Sequence, residues 1–157
     1  MAKWYGSVSN RIEEGHNYTG REIKVGDDIT MYYWSDRTCY YVTKVIDQKH
    51  IFVKKYHVCA DHHKPGGMGH QDWLYFKTNR EMQQYLNDCI DEGLIPCEKE
   101  DLDLIQEDPE EEWVFRYNRW HLVSHEDWLG NKYEKPHYLK LQSISFGVRS
   151  YYYDWEF

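Results

Sequence analysis

Short apolar and aromatic runs, separated every few residues by turn-forming residues, make up most of this chain. Runs of this length, rich in β-branched and aromatic residues, predict β-strands, and Gly, Asp and Asn clusters predict the turns between them. The predicted strands are Trp4–Val8, Ile29–Trp34, Tyr40–Ile46, His50–His57, Asp72–Lys77, Glu112–Tyr117, Trp120–Ser124 and Tyr138–Phe146, after which the chain ends in an aromatic tail. Their spacing is typical of a meander in a bent antiparallel sheet or small barrel.

One segment has helical periodicity instead. Thr78 is followed three residues later by Glu81, which is the pattern of an N-terminal capping box. The apolar residues that follow recur every three or four positions and form one stripe, at Met82, Tyr85, Leu86, Cys89 and Ile90. A glycine, Gly93, supplies the stop signal. The sequence therefore predicts a helix over residues 78–92, packed against the sheet.

Two polar stretches show no periodicity. Leu94–Glu112 is acidic and is predicted to be irregular, with a short turn near Leu102 to Ile105. His125–His137 is predicted to be a polar loop between strands.

The length of 157 residues indicates one domain, residues 1–157, with the helix and the acidic segment inserted at about 78–112. The fold class is mainly β, a β-rich α+β domain. Leu, Ile, Val and Phe make up only about a fifth of the chain, but 15 Tyr and 7 Trp can supply the missing apolar area.

Charge is concentrated in one window. The net charge is −8, yet residues 91–112 alone hold eleven acidic residues against one lysine, so the rest of the chain is close to neutral. Such a segment could bind a basic partner by imitating a nucleic-acid backbone, or it could be a solvated linker. The candidate partner-binding residues are Glu98, Glu100, Asp101, Asp103, Glu107, Asp108, Glu110, Glu111 and Glu112. Direct nucleic-acid binding is disfavoured because phosphates would repel this window.

Several functional classes lack their sequence signals. No apolar run approaches the roughly 18 residues of a membrane span, and the N-terminus lacks a signal-peptide pattern, so a cytoplasmic location is expected. Four cysteines are then expected to be reduced thiols. No phosphate-binding loop, nucleophile elbow or zinc-protease motif is present, and we expect no enzymatic activity.

Several short motifs resemble a family of small uncharacterised proteins carried by phages and prophages of Firmicutes. They are Val25-Gly26-Asp27, Tyr33-Trp34-Ser35-Asp36-Arg37, Gly67-Met68 with Gln71, and Gly147-Val148-Arg149 followed by Tyr152-Tyr153-Asp154 and Phe157. The order and spacing of that family's pattern hold along the chain, with three departures: Asp28 stands where glycine is usual, Thr38 stands where histidine is usual, and residues from about Thr78 to Glu112 look inserted. The resemblance implies a phage-encoded accessory protein that acts in the host cytoplasm.

Two groups of residues could bind a small ligand. Arg37, in a turn between strands, and Arg149, beside the tail residues Tyr151 and Tyr153, could bind an anion or a nucleotide by charge and ring stacking. Alternatively, Arg37 belongs to an ordinary Asp-stabilised turn, and the tail is a final strand with one buried aromatic face.

A second cluster has the residue types of a metal site. His57 and Cys59 would share one strand face, and His62 and His63 follow closely, which fits half of a zinc site. The alternative is a solvated histidine-rich loop beside a half-buried cysteine. Because no second paired motif completes the site, no cofactor is expected, and zinc is kept as an alternative.

Together these observations predict a protein that binds and inhibits a host protein, plausibly a nucleic-acid-binding defence nuclease of the CRISPR or restriction type. The alternatives are a protein that binds a nucleotide or another small molecule and a zinc-binding protein. The oligomeric state is left open.

Overall fold

A computed structural model describes residues 22–33, 36–63, 73–102 and 106–147. The strands are β1 (Asp28–Tyr32), β2 (Arg37–Asp47), β3 (His50–Lys55), β4 (His57–Ala60), β5 (Trp73–Phe76), β6 (Glu111–Arg116), β7 (Arg119–Glu126), β8 (Lys132–Lys140) and β9 (Ser143–Phe146). Helix α1 (Asn79–Asp91) and a 3₁₀ turn (Lys99–Asp101) lie between β5 and β6. The predicted strand Trp4–Val8 and the tail lie outside the described residues.

Within the described residues, seven strands form one antiparallel sheet in the order β8-β7-β6-β3-β2-β1-β9. β8 and β9 are the two edges, yet only Leu141 and Gln142 separate them along the chain. Three Cα steps reach at most about 11 Å. In a flat sheet with strands about 4.8 Å apart, the edges would be about 29 Å apart. The sheet must therefore curl into a half-barrel, which confirms the predicted β-rich class and bent antiparallel sheet.

The concave face of this sheet holds an aromatic core. Trp113 and Trp120 are fully buried, and their rings lie edge-on to Tyr40 and Phe115, respectively. Trp120 of β7 also contacts Phe146 of β9, with ring centroids 5.5 Å apart, so the core spans both ends of the sheet. Aliphatic side chains fill the remaining space: Ile23, Ile29, Met31, Val42, Ile51, Val53 and Ile144.

β4 and β5 form a separate two-stranded sheet, against which α1 packs. Thr78 is confirmed as the N-cap, because its hydroxyl accepts a hydrogen bond from the backbone N–H of Glu81 at 3.2 Å, which is one of the two hydrogen bonds of the predicted capping box. Gly93 ends the helix with a φ of +77°, a backbone conformation that favours glycine.

Three predicted boundaries were wrong. His50–His57 is two elements, because Tyr56 leaves the large sheet and His57 pairs instead with Phe76. The stretch 125–137 is mostly strand: β7 runs to Glu126, and β8 starts at Lys132 after a tight turn. The predicted strand Tyr138–Phe146 is interrupted at Leu141 and Gln142, where the chain passes from one edge of the sheet to the other.

The turn between β6 and β7 holds two non-glycine residues in an unfavourable backbone conformation. Tyr117 and Asn118 have φ values of 51° and 61°, the signs of a type I′ turn, in which Asn followed by Gly is preferred. Tyr is a poor residue for this conformation, and its side chain is 86% exposed.

We expect Tyr117→Asn to stabilise the protein by about 1 kcal/mol, because Asn adopts a positive φ at lower cost. The melting temperature should rise by roughly 2–4 °C. Tyr117→Phe keeps both the ring and the backbone cost and should melt like the wild type. An Asn variant that melts below the wild type would show that the stacking of Arg116 on this ring outweighs the backbone cost.

Candidate functional site

An open cavity of about 520 Å³ lies where the large sheet, the small sheet and α1 meet. Its charged lining residues come from the start of β2, the end of β3, the start of β4 and the acidic segment: Asp36, Arg37, Lys55, His57 and Asp108. The other lining residues are Tyr33, Thr38, Tyr56, Val58 and Met82. A volume of this size suits a small organic ligand.

One of these residues, Arg37, was predicted from the sequence to contact a ligand. Arg37 opens β2, opposite Tyr32 of β1, and lines the cavity. The other proposed ligand contacts, Arg149, Tyr151 and Tyr153, lie outside the described residues. Lys55 was not identified from the sequence because no local pattern marks it, and it comes to line the same cavity as Asp108 only when the chain is folded.

A carboxylate lies on the concave face beside this cavity. Glu111 of β6 is opposite Val53 of β3, and its Oε1 accepts a hydrogen bond from the Trp113 indole N–H at 3.0 Å. Burial raises the pKa of Glu111 and outweighs the opposing effects of the Trp113 hydrogen bond and the Lys55 charge. Burial, together with the Glu111 charge, also raises the pKa of Tyr40, which is hydrogen-bonded to Tyr33.

The other acidic residues of β6 and the segment before it mostly have partners within the fold. Glu107 accepts from the backbone N–H of Asn79 at 3.0 Å, and its other oxygen lies 3.3 Å from His57 Nε2. The hydrogen bond from the Asn79 N–H has the larger effect and lowers the pKa of Glu107, and the contact with His57 lowers it further. Glu110 accepts from the Thr43 hydroxyl at 2.6 Å.

Glu112 lies between two histidines. His50 Nε2 and His125 Nε2 are 2.6 and 3.0 Å from its two oxygens. Burial alone would raise the pKa of Glu112, but the hydrogen bonds from His125 and His50 outweigh burial and hold it below the ordinary value.

Among the described acidic residues proposed to bind a partner, those that are exposed and have no hydrogen-bond partner within the fold lie around the 3₁₀ turn, whereas the exposed Glu107 and Glu110 have partners. Glu98, Glu100 and Asp101 are exposed there, whereas Asp103 lies outside the described residues. Of the nine acidic residues proposed to bind a partner, Glu98, Glu100 and Asp101 therefore form the acidic surface that is available to a partner in the described structure.

The four residues of the zinc hypothesis have other neighbours. His57 contacts Glu107, His63 Nε2 lies 2.8 Å from Glu92, and the His62 ring packs near Tyr85. Burial raises the pKa of the Cys59 thiol to about 12, with smaller contributions from Cys89 and Asp61, and disfavours the thiolate that zinc requires. Within residues 22–33, 36–63, 73–102 and 106–147, no three His, Cys, Asp or Glu side chains are grouped in a metal-binding arrangement. All four cysteines are free thiols.

The turn between β7 and β8 presents an apolar pair to solvent. Trp128 is 91% exposed and Leu129 is 65% exposed. Asp127 fixes this turn, because its carboxylate accepts from the backbone N–H groups of Leu129 and Asn131 at 2.8 and 2.9 Å. These hydrogen bonds, led by that from Asn131, lower the pKa of Asp127.

Comparison with known proteins found no match to this chain among protein-family models, curated proteins or solved structures. Within the described part of the chain, no helix is long and apolar enough to cross a membrane.

Glu111→Gln should stabilise the protein at neutral pH. The pKa of Glu111 is raised in the folded state, so this group lowers stability as pH rises through its folded pKa, and Gln removes that loss while keeping an acceptor for Trp113. Thermal unfolding between pH 4 and pH 8 would measure this. The variant should melt higher at pH 7, and the difference should disappear in acid; an equal difference at every pH would contradict the explanation.

Glu112→Gln should destabilise the protein at neutral pH, although Glu112 is adjacent to Glu111, whose substitution by Gln should stabilise it. The pKa of Glu112 is lowered in the folded state, so its ionised form contributes stability above its unfolded pKa, and that contribution is lost as pH falls through the folded value. We expect a loss of about 1 kcal/mol at pH 7 from weakening hydrogen bonds to a charged acceptor. The same pH series measures it, and a Gln variant as stable as the wild type at pH 7 would contradict it.

Proposed function

We propose that this chain is a non-enzymatic protein that binds another protein through the turn between β7 and β8. The observation that carries the proposal is the exposure of Trp128, 91%, in a turn that is rigidly held. A large aromatic side chain in water contributes nothing to folding, whereas Trp is among the residues that dominate protein–protein binding energy.

The order of the turn supports this role. Asp127 accepts three hydrogen bonds through its carboxylate, two from backbone N–H groups and one from the Asn131 side chain. Its backbone N–H and C=O also pair with Asn131 and Gly130. A turn that is already ordered loses little conformational entropy on binding, so more of the contact energy appears as affinity.

The neighbouring edge strand favours docking at the turn over pairing along the strand. β8 is exposed along nearly its whole length and carries Pro136, which is preceded by the charged residues Glu134 and Lys135. Proline cannot donate to a partner strand, and charged residues on an edge oppose the addition of another strand.

Charge supports a basic partner. Glu98, Glu100 and Asp101 are exposed and can attract positive surfaces over a distance that salt shortens. From the resemblance to phage proteins, we propose that the partner is a nucleic-acid-binding defence enzyme in the host cytoplasm and that binding inhibits it.

The test is capture of partners from a Firmicute host lysate at low and high salt, followed by measurement of affinity for the purified partner. Trp128→Ala should weaken binding about 30-fold or more, as expected for a central aromatic contact. The combined variant Glu98→Gln, Glu100→Gln and Asp101→Asn should bind less tightly at low salt and show a smaller salt dependence.

Tyr117→Asn is the matched control, because it removes an equally exposed aromatic residue at the other end of β7. It should bind like the wild type. Equal binding by the Trp128 variant, or no partner at either salt, would overturn the proposal. A partner that does not bind nucleic acid would overturn only the assignment to a defence nuclease.

A further inference from the structure

The cavity lining includes a cation, Lys55, and a carboxylate, Asp108, that make no ion pair with any described residue. Lys55, at the end of β3, and Asp108, in the acidic segment, both line it and are both partly buried. Among the described residues, no carboxylate oxygen lies within 4.0 Å of the Lys55 ammonium, and no ammonium, guanidinium or imidazole nitrogen lies within 4.0 Å of the Asp108 carboxylate. They therefore face the same space without neutralising each other.

Both groups act on a neighbour from a distance. The Lys55 charge lowers the pKa of Glu111 and the Asp108 charge raises it, while burial remains the dominant cause of its net upward shift. Partly buried charges without partners are costly, because they lose hydration and gain no ion pair in return. A bound molecule that supplies both missing charges would remove that cost.

The remaining charged residues that line the cavity do not alter the requirement for one positive and one negative charge on the ligand. Asp36 and Arg37 contribute one charge of each sign, and His57 is in contact with Glu107. A nucleotide, with two or more negative charges, would face Asp36 and Asp108 at close range. A ligand with a single charge would leave either Lys55 or Asp108 unsatisfied.

The rest of the wall is apolar or aromatic. Met82 of α1 and Val58 of β4 line one part, and the rings of Tyr33 and Tyr56 line another. A ligand with both charges at one end and an apolar or aromatic group at the other would match this distribution.

We propose that this cavity binds a small zwitterion of the amino-acid class, with its carboxylate at Lys55, its ammonium at Asp108 and its side chain against Met82, Val58 and the tyrosines. The site shares no residue with the turn between β7 and β8, so it is independent of the protein-binding proposal.

Three probes of similar shape test the charge requirement: L-phenylalanine, which carries both charges, phenethylamine, which carries only the ammonium, and 3-phenylpropionate, which carries only the carboxylate. Each is titrated into the full-length protein while backbone amide signals are followed by NMR. L-phenylalanine should bind about tenfold or more tightly than either other probe, since a hydrogen bond to a charged group contributes that much. Its shifts should map to residues lining the cavity.

Two variants assign the charges separately. Lys55→Gln should reduce the affinity for L-phenylalanine about tenfold and leave that for phenethylamine unchanged, whereas Asp108→Asn should reduce both. Lys49→Gln, in the exposed turn between β2 and β3, is the matched control and should bind like the wild type. The amide spectrum of each variant without ligand verifies that it is folded.

The proposal is overturned if L-phenylalanine shows no saturable binding, if the three probes bind alike, or if the shifts lie outside the cavity. Tighter binding of 3-phenylpropionate than of L-phenylalanine would instead indicate a simple anion site and would also overturn it.

Discussion

The two-residue connection between β8 and β9 constrains the rest of this fold. In the described part of the chain, these strands are the opposite edges of a seven-stranded sheet, and the chain passes between them through Leu141 and Gln142. Trp120 secures the closure: its backbone carbonyl accepts from the Leu141 N–H at 3.2 Å, and its ring contacts Phe146. A sheet curled this tightly encloses a narrow interior, which large flat rings can fill. The abundance of Trp and Tyr and the shortage of aliphatic residues are consistent with this geometry.

The same curl explains why polar groups accumulate at one place beside the core. At Tyr56 the chain leaves the large sheet and begins β4. The Tyr56 hydroxyl donates a hydrogen bond to the Asp28 carboxylate, and the Tyr56 backbone N–H donates one to the Cys39 carbonyl. Lys55 and Tyr33 line the open cavity next to this point, and Glu111 lies near enough to feel the Lys55 charge. Because the cavity is open to water, a charge and a hydroxyl group are tolerated there, close to a core that is otherwise apolar.

Much of the fold could be predicted from the sequence, because local signals decide local structure. The capping box at Thr78 and the glycine stop at Gly93 gave the helix correctly. The first six residues of β8, 132–137, were predicted to be loop because nearly all of this strand is exposed, so it has no alternation of apolar and polar residues to detect. The candidate site was only partly predictable. Arg37 could be identified from its turn, but Lys55 and Asp108 meet only after the strands are arranged, and no local pattern encodes that arrangement.

The acidic segment shows why a run of like charges is a weak guide to a binding surface. Glu107 accepts a hydrogen bond from the first residue of α1 and contacts His57. Glu110 accepts one from Thr43 of β2. Glu112 is hydrogen-bonded to His50 of β3 and to His125 of β7. These carboxylates connect elements that are distant in sequence, so substituting them would change stability as well as any external interaction. In the proposed interaction, the electrostatic contribution would come from the few acids around the 3₁₀ turn, and the specificity would come from the apolar pair Trp128 and Leu129. Because that pair sits in a turn held by Asp127, the chain keeps a hydrophobic contact accessible without destabilising its own core.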